Sequence, residues 1–280
     1  MTHAGRFGPG DRTAAPPRGV LPRAWSWWVD GARDGVTNMA ADQALLETVR
    51  PGHGTWRWYG WERPTVSFGR NERLAGRIDA DTVAQAALAA VRRPTGGRAL
   101  LHGRELTYSV TMPLDEALPW RAAYAAVNQL LLLMLHRLRV PAVLAGGGAP
   151  VAPEGPVCFE EPASGEITVA GRKLVGSAVW RQGGAYLQHG SILLHDDQSL
   201  LRSLTPHAPP PPPAASLAHW CPTRSDGDLT HDAHAALQGL LTEAAGPDGD
   251  MAPFVPDAAF DRAQARQRAH FADSAWLWRR

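Results

Sequence analysis

The sequence has few cysteines, little excess of either charge and no long apolar run. Its 280 residues contain only Cys158 and Cys221, too few for a disulfide scaffold. The formal net charge of +1 lacks the basic surplus of a nucleic-acid binder. No apolar stretch approaches a membrane span, and residues 1–23 contain no signal-peptide core. We therefore predict a cytoplasmic protein without nucleic-acid or membrane partners, in which a thiol stays reduced.

Periodic apolar patterns predict alternating helices and strands. Helices are predicted over residues 38–50, 79–91 and 118–138, and strands over residues 56–61, 65–68 and 105–112. The last strand alternates apolar and hydroxyl side chains, so we expect its sheet to be covered on one side. Asp42 and Gln43 are interpreted as solvated residues of the first helix. The Trp56, Trp58 and Trp61 cluster is expected to pack mainly in the core.

Residues 157–194 combine chemically reactive residues with a meander of short strands. Strands are predicted over residues 166–169, 173–179 and 185–194, with glycine-containing turns between them. Cys158 precedes these strands by a short loop, and Lys173 begins the second strand. A nucleophile and a cation thus belong to neighbouring elements, and this arrangement predicts a functional site.

Cys158 is the candidate nucleophile. A single cysteine is usually a small buried apolar residue, but Cys158 follows a Gly- and Pro-rich loop and lies fifteen positions before Lys173. A nearby ammonium group lowers a thiol pKa because it favours the reactive thiolate. Glu160 and Glu161 are interpreted as solvated loop charges. Cys221 has no matching motif and is expected to be structural or incidental.

Two motifs resemble those of the lipoate–protein ligase and biotin–protein ligase catalytic superfamily. Residues 92–102, RRPTGGRALLH, resemble the signature R-R-x-T-G-G-G-A-x-x-H, and residues 171–178, GRKLVGSA, followed by QHGS at 188–191, resemble the core motif. The motif Val157-Cys158-Phe159 resembles one found in the cysteine-dependent octanoyltransferase branch of this superfamily. The resemblance covers about residues 25–200. It implies an α+β domain with mixed β-sheets flanked by helices.

This resemblance implies an acyl transfer in two steps. Cys158 would take an octanoyl group from acyl carrier protein as a thioester, with assistance from Lys173. The group would then pass to a lysine of a lipoyl-domain protein, such as glycine cleavage H protein or a 2-oxoacid dehydrogenase E2. A covalent intermediate means that the two carriers need not be bound together. The octanoyl group arrives on the donor's phosphopantetheine, so no further cofactor, metal or ATP is expected.

The same resemblance implies a set of substrate-binding residues in the two motifs. Glycines in such a loop let the backbone approach a ligand closely. Histidine is a proton carrier by type, but the first histidine of the set is expected to pack against the acyl site and the second to order its strand. The set consists of Arg93, Thr95, Gly96, Gly97, His102, Gly176, Ser177, His189 and Gly190.

Three alternative functions remain open. An ATP-dependent lipoate–protein ligase is disfavoured by Cys158, by Arg98 at the usual third glycine, by Gly103 where the family has Asp, and by the Pro-rich, helical tail. An amidotransferase between lipoyl domains ranks lower because residues 93–97 look like the carrier-using branch. A non-catalytic acyl-binding module is disfavoured by the Cys158–Lys173 pair.

The predicted domain boundaries follow composition outside the motifs. Residues 1–22 are rich in Gly, Pro and Arg and predict a disordered tail, or less readily an anchor. Residues 23–200 form the catalytic domain. The proline run at 209–213 predicts an extended linker over residues 201–216. Residues 217–280 are expected to form a C-terminal helical extension.

Overall fold

Two β-sheets flanked by helices make up the part of the chain that the structure describes. The structure is a computed structural model, and it describes residues 15–17, 19–114, 119–146, 165–205 and 212–279. Cys158, Glu160 and Glu161 lie outside these ranges. The larger sheet has, in spatial order, the strands β11 (Asp250–Pro253), β1 (Ala24–Arg33), β2 (His53–Trp61), β6 (Glu105–Pro113), β10 (Ala185–Leu193), β9 (Arg172–Gln182), β8 (Ile167–Val169) and β7 (Val143–Leu144).

The smaller sheet and the helices surround this large sheet. The smaller sheet has the order β4 (Ala89–Arg92), β3 (Thr65–Phe68) and β5 (Leu100–His102). The helices are α1 (Gly35–Glu47), α2 (Ala80–Gln85), α3 (Trp120–Arg137), α4 (Leu217–Trp220), α5 (Asp226–Ala245), α6 (Ala258–Ala272) and α7 (Ser274–Leu277), with a 3₁₀ helix over Gln198–Leu204. None of the helices in the described ranges is long and apolar enough to cross a bilayer.

The two faces of strand β6 pack against different parts of the protein. Leu106, Tyr108, Val110 and Met112 belong to the main apolar core, which also contains the inner residues of α3 and α5. The hydroxyl residues on the other face are buried as well, and α1 contacts β6 and β10 on that side. The prediction that this sheet is covered on one side only was therefore wrong. It failed because α1 packs against the hydroxyl face, which local alternation cannot reveal.

The helix predicted over residues 79–91 is only half as long in the structure. It begins as expected, because the Asp79 side chain caps the helix by accepting a hydrogen bond of 2.8 Å from the Thr82 amide. The helix ends at Gln85, and Ala87 adopts a left-handed backbone with φ of 56°. Residues Ala89–Arg92 then pair in parallel with β3. Pairing with a distant strand overrides the helical propensity of the alanines.

The C-terminal residues complete the large sheet as well as forming helices. Strand β11 pairs in parallel with β1, so a strand from the predicted helical extension is an edge of the main sheet. Helix α6 packs its Phe260 against Ala41 and Leu45 of α1. At the other end, Val20 and Leu21 of the predicted disordered tail pack against the main core. The predicted helical extension therefore also contains a strand, because β11 pairs with β1. Val20 and Leu21 belong to the folded domain and not to a disordered tail, because they pack against the core.

The described ends of the predicted linker also pack against the domain. Leu201 and Leu204 lie in the apolar cluster of the smaller sheet. Ala215 is buried, and its amide donates a hydrogen bond of 2.9 Å to the carbonyl oxygen of Lys173. The first end of the predicted linker is therefore attached to the smaller sheet, and Ala215 is attached to the strand that carries the predicted catalytic lysine.

Candidate active site

A cavity between α1, the smaller sheet and strands β9 and β10 collects most of the predicted binding residues. Its volume, including the opening, is about 430 Å³, within the range typical of small-molecule sites. Seven of the nine predicted substrate-binding residues line it. The two others, Thr95 and Gly96, lie in the loop beside it. The lining consists of Met39, Tyr59, Trp61, Ser67, Arg93, Gly97, Leu100, His102, Thr107, Gly176, Ser177, Ala178, His189, Gly190 and Ser191.

Arg93 organises the loop that forms one wall of the cavity. Its Nη2 donates hydrogen bonds to the carbonyl oxygens of Gly96, at 3.0 Å, and Arg98, at 2.7 Å. Its Nη1 donates to the Ser67 carbonyl oxygen at 2.9 Å. The guanidinium group therefore closes residues 93–98 into a compact loop and attaches it to β3. Gly97 has φ of 96° in this loop, a conformation that favours glycine.

A second contact presses the same loop against the end of β3. A Cβ atom added to Gly69 would lie 1.8 Å from the Gly97 carbonyl oxygen, so the two backbones approach as only glycine permits. The Glu72 carboxylate fastens both sides by accepting hydrogen bonds from the amides of Gly69, at 2.9 Å, and Ala99, at 3.0 Å. Burial raises the pKa of Glu72, and the charge of Arg93 opposes that rise. The sequence patterns gave Glu72 no role.

His189 connects the loop to α1 through a buried network. Its Nε2 lies 2.6 Å from Thr95 Oγ1, and its Nδ1 lies 3.0 Å from Asp42 Oδ2. Arg57 donates to the other oxygen of Asp42 at 2.7 Å. Burial alone would raise the pKa of Asp42, but the hydrogen bond with His189 and the charge of Arg57 hold it below the ordinary value of 3.8. Asp42 was predicted to be solvated, and this was wrong because its carboxylate is fully buried.

His102 occupies a similar network on the opposite wall. Its Nδ1 lies 2.7 Å from Glu105 Oε1, and its Nε2 lies 2.7 Å from Ser67 Oγ. Ser67 Oγ also accepts a hydrogen bond from Arg93 at 3.0 Å. Burial lowers the pKa of His102, although Glu105 opposes this. In the neutral form of the ring Nδ1 carries the proton, because the Glu105 carboxylate can only accept, and the Ser67 hydroxyl then donates to Nε2. The ring stacks on Trp61 at 4.0 Å.

Lys173 lies on β9, three residues before Gly176 of the cavity wall. It is the only lysine among the 28 lysine and arginine residues of the chain. Its Nζ lies 2.8 Å from Glu166 Oε1, and both side chains are almost completely buried. Lys173 does not itself belong to the cavity lining. Its predicted partner, Cys158, lies outside the described residues.

The remaining motif residues shape the strands behind the cavity. Ser177 Oγ lies 2.8 Å from the Tyr108 hydroxyl. A Cβ atom on Gly190 would lie 2.3 Å from the Gly176 carbonyl oxygen, so no larger residue fits between these strands. Cys221 is buried in the main core, and burial raises the pKa of its thiol, which suits the structural role predicted for it.

Asp42 was missed although the sequence contained a signal for it. On α1 it lies three residues after Met39 and four before Leu46, both of which are buried, so helical periodicity places it on the apolar face. A carboxylate on such a face requires a partner. Arg57 and His189 supply this partner from distant strands, which no local pattern reveals.

Comparison with known proteins agrees with this arrangement. Residues 34–225 match the family described as the lipoyl protein ligase A/B catalytic domain. The chain belongs to this family. The match contains both motifs, the cavity and the Lys173–Glu166 pair. It therefore confirms the family that the two motifs predicted.

A curated relative from Anoxybacillus flavithermus, named octanoyltransferase LipM, is 41% identical over 191 residues. The alignment covers 64% of this chain and 69% of that relative. Further curated relatives carry the same name. The curated relatives of this name are 38–42% identical to this chain, so the sequence similarity extends well beyond the two motifs.

Solved structures of low sequence identity share the fold. A Thermoplasma acidophilum protein with bound lipoic acid has a TM-score of 0.74 and 18% identity, covering 91% of this chain and 99% of that one. A bipartite lipoate protein ligase from the same organism, described with its E2 lipoyl domain, has a TM-score of 0.70 and 15% identity, covering 92% and 96% of the two chains. These likenesses confirm the predicted α+β fold with mixed sheets flanked by helices.

Proposed function

We propose that this protein is an octanoyltransferase that moves an octanoyl group from a carrier thioester, through a thioester on Cys158, to a lysine of a lipoyl domain. The names of the curated relatives support the transferase activity predicted from the sequence. The cysteine intermediate, the carrier donor and the absence of a further cofactor rest on the motifs and on the chemistry of the site.

The observation that carries this proposal is the composition of the cavity wall. Met39, Tyr59, Trp61 and Leu100 give it apolar surface for an alkyl chain. No carboxylate side chain is among its described lining residues. Such an apolar wall suits the alkyl part of an octanoyl group. The Gly-containing loop and the Gly176 backbone supply the polar edge at which a thioester carbonyl can lie.

In the first step the Cys158 thiolate attacks the carbonyl carbon of the donor thioester. The bond from carbon to the carrier sulfur breaks, and the carrier leaves as a thiolate that takes up a proton. Lys173 would favour the Cys158 thiolate and stabilise the negative charge that develops on the carbonyl oxygen. Glu166 holds the ammonium group in place through the 2.8 Å ion pair.

In the second step a lysine amine of the acceptor attacks the Cys158 thioester. The new amide bond forms, the carbon–sulfur bond breaks, and the proton lost by the amine is available to the Cys158 sulfur. Exchange between thioesters is nearly balanced in free energy and amide formation is favourable, so no ATP is required. The Thermoplasma ligase described with its E2 lipoyl domain supports a lipoyl domain as the acceptor.

His102 and His189 are assigned to positioning rather than proton transfer. Both ring nitrogens of each histidine already have a protein partner within 3.0 Å. Neither ring can reach a substrate proton without breaking one of these contacts. Their role in this mechanism is to hold the loop wall against the sheet while the acyl chain enters.

Intact-mass analysis tests the proposal directly. Mixing the protein with octanoyl acyl carrier protein, without ATP, should add one octanoyl group that hydroxylamine removes. Cys158→Ala should abolish this adduct and the transfer, because no nucleophile remains. Cys221→Ser is the matched control, since it removes the other cysteine and should keep the adduct.

Two results would contradict the proposal. Full transfer by Cys158→Ala would exclude the cysteine intermediate. Efficient transfer from free octanoate with ATP and magnesium, but not from the carrier thioester, would favour the ligase alternative.

A further inference from the structure

We propose that Arg70 and Arg279 form a binding subsite for a phosphate group on the arm that delivers the acyl thioester. The subsite lies beside the loop wall of the cavity, and this inference rests on the proposed function. Phosphate could reach such a site from the pantetheine arm of a carrier or from a nucleotide. We assign it to the donor arm.

Two tryptophans hold the two arginines side by side. The Arg70 guanidinium lies over Trp180, at 4.3 Å from the ring centroid, and over Trp276, at 5.2 Å. The Arg279 guanidinium lies over the same Trp276 ring at 4.5 Å. Arg279 Nη2 also donates to the Arg70 carbonyl oxygen and, at 2.9 Å, to Asn71 Oδ1. Stacking on a shared ring therefore fixes both positive charges in one place.

The two charges lack an acidic partner in the described part of the chain. No carboxylate there forms an ion pair with Arg70 or Arg279, whereas Arg57 in the interior has two. Burial, and next the charge of Arg279, lower the pKa of Arg70. Two like charges held together cost free energy that a bound anion offsets. The planar guanidinium donors suit phosphate oxygens in particular.

The pair is joined to the wall of the cavity. The Arg70 amide donates a hydrogen bond of 2.7 Å to the Thr95 carbonyl oxygen. The adjacent Gly69 contacts Gly97, the exposed residue of the cavity lining. On the other side, Trp180 follows Ala178 of the lining by two residues on β9. An arm that leaves the cavity past Gly97 therefore passes beside the guanidinium groups.

The end of the chain is fastened to the same loop, which makes Arg279 part of the site. Arg92 Nε donates to the Leu277 carbonyl oxygen at 2.8 Å, and the Trp276 indole donates to the Arg92 carbonyl oxygen at 3.0 Å. Arg92 directly precedes Arg93, which closes the loop wall. The C-terminal residues 276–279 thus hold an arginine at the substrate loop although no motif covers them.

The experiment compares acylation by octanoyl-phosphopantetheine and by octanoyl-pantetheine, which differ only in the phosphate. For the full chain we expect the phosphate to raise kcat/KM about tenfold, the effect of one or two hydrogen bonds to a charged group. Arg70→Gln and Arg279→Gln should each remove most of this preference while affecting the unphosphorylated thioester much less. Arg70→Lys should restore part of it. Arg262→Gln, an exposed substitution on α6, should keep the full preference.

A binding measurement tests the subsite without relying on enzyme activity, and the unfolding midpoint shows whether a variant is still folded. Phosphopantetheine without an acyl group should quench tryptophan fluorescence on binding, and Arg279→Gln should weaken this binding without lowering the unfolding midpoint. Equal rates with the two thioesters would overturn the subsite and leave the proposed function intact. No acylation by either thioester, with binding still dependent on Arg279, would reject the function and keep the subsite. Stronger competition by ATP than by phosphopantetheine, lost in both variants, would overturn the assignment to the donor arm.

Discussion

The two faces of the large sheet are both buried, but one is mainly apolar and the other mainly polar. The face toward α3 and α5 buries apolar residues such as Leu130, with a small polar group in which Gln188 Nε2 donates to Asn128 Oδ1 and to the Tyr108 hydroxyl. The face toward α1 buries Arg57, Asp42 and His189 instead. One strand, β6, serves both faces through its alternating side chains. The two faces are therefore buried to a similar degree, and they differ in the polarity of their side chains.

This difference means that the α3 face mainly stabilises the fold, whereas the α1 face mainly positions the residues of the cavity wall. Apolar contacts on the α3 face are non-directional and tolerate small shifts of a side chain. The hydrogen bonds on the α1 face have fixed distances and angles, so they set where the His189 ring and the Thr95 loop lie. The cavity opens on the α1 face, where directional contacts can hold a substrate wall in place. A buried polar face costs desolvation free energy, and that cost is the reason most sheets avoid it.

The largest effect is expected from breaking the α1 face at Arg57. Arg57→Met leaves the buried Asp42 carboxylate without its arginine, while Asp30 keeps only its ion pair with Arg33, and this should lower the free energy of unfolding by about 3–5 kcal/mol at neutral pH. Leu130→Ala on the apolar face should cost a similar 2–5 kcal/mol, roughly, by opening a cavity. Denaturant unfolding measures both variants.

The two losses should respond differently to acid. Without Arg57 the burial of Asp42 is less opposed, so we expect its pKa to rise and the loss in Arg57→Met to narrow as the carboxylate is protonated at lower pH. The loss in Leu130→Ala should stay constant, because no titratable group is involved. If the loss of unfolding free energy had the same pH dependence in both variants, the ion pairs of Arg57 with Asp30 and Asp42 would not be the source of its stabilising effect.

An intermediate effect is expected from the histidine that faces the apolar core. His234 of α5 stacks on Trp58 at 4.8 Å, and burial lowers its pKa to about 4. The unfolded chain takes up this proton near pH 6.5, so the free energy of unfolding should fall as the pH drops from 6.5 to 4. The fall should amount to roughly 2 kcal/mol once solvent screening is allowed for.

His234→Phe should keep the ring stacking and remove that part of the pH dependence. The exposed His219, changed to Gln, is the control and should leave the profile unchanged. An unaltered slope between pH 6.5 and 4 in His234→Phe would assign the acid sensitivity to other groups.

The motifs predicted residues that lie near one another, but not how these residues are held. Arg93, Gly97, Gly176 and His189 line one cavity, and their roles in substrate binding remain a prediction. Their partners come from positions without a motif: Asp42 is 147 residues from His189, and Glu72 fastens the loop from the turn after β3. Local periodicity cannot identify such pairs, because it reports which face of an element is buried and not which charge lies opposite.

The same limit explains the errors in the fold. The strand at Ala89–Arg92 forms only because β3 is beside it, and an alanine-rich sequence carries no sign of that neighbour. Strand β11 joins β1 across more than two hundred residues of sequence. Parallel pairings of this kind lack the short turn that identifies a hairpin. The β9–β10 hairpin, with its Gly183-Gly184 turn, was predicted correctly for this reason.

The smallest effect compares two hydroxyl groups on the polar face of β6. Thr107 Oγ1 accepts a hydrogen bond of 2.9 Å from the Trp61 indole, whereas Thr111 Oγ1 is buried with no hydrogen-bond partner among the described residues. Thr107→Val should lower the free energy of unfolding by about 1 kcal/mol, because it leaves the indole N–H unpaired. Thr111→Val has nearly the same shape and removes an unsatisfied group, so it should be neutral or stabilising by up to about 1 kcal/mol. Chemical denaturation of the two variants under one condition gives the difference. A clear loss of stability in Thr111→Val would mean that its hydroxyl has a partner in the folded protein, and that the α1 face is more completely hydrogen-bonded than the described contacts indicate.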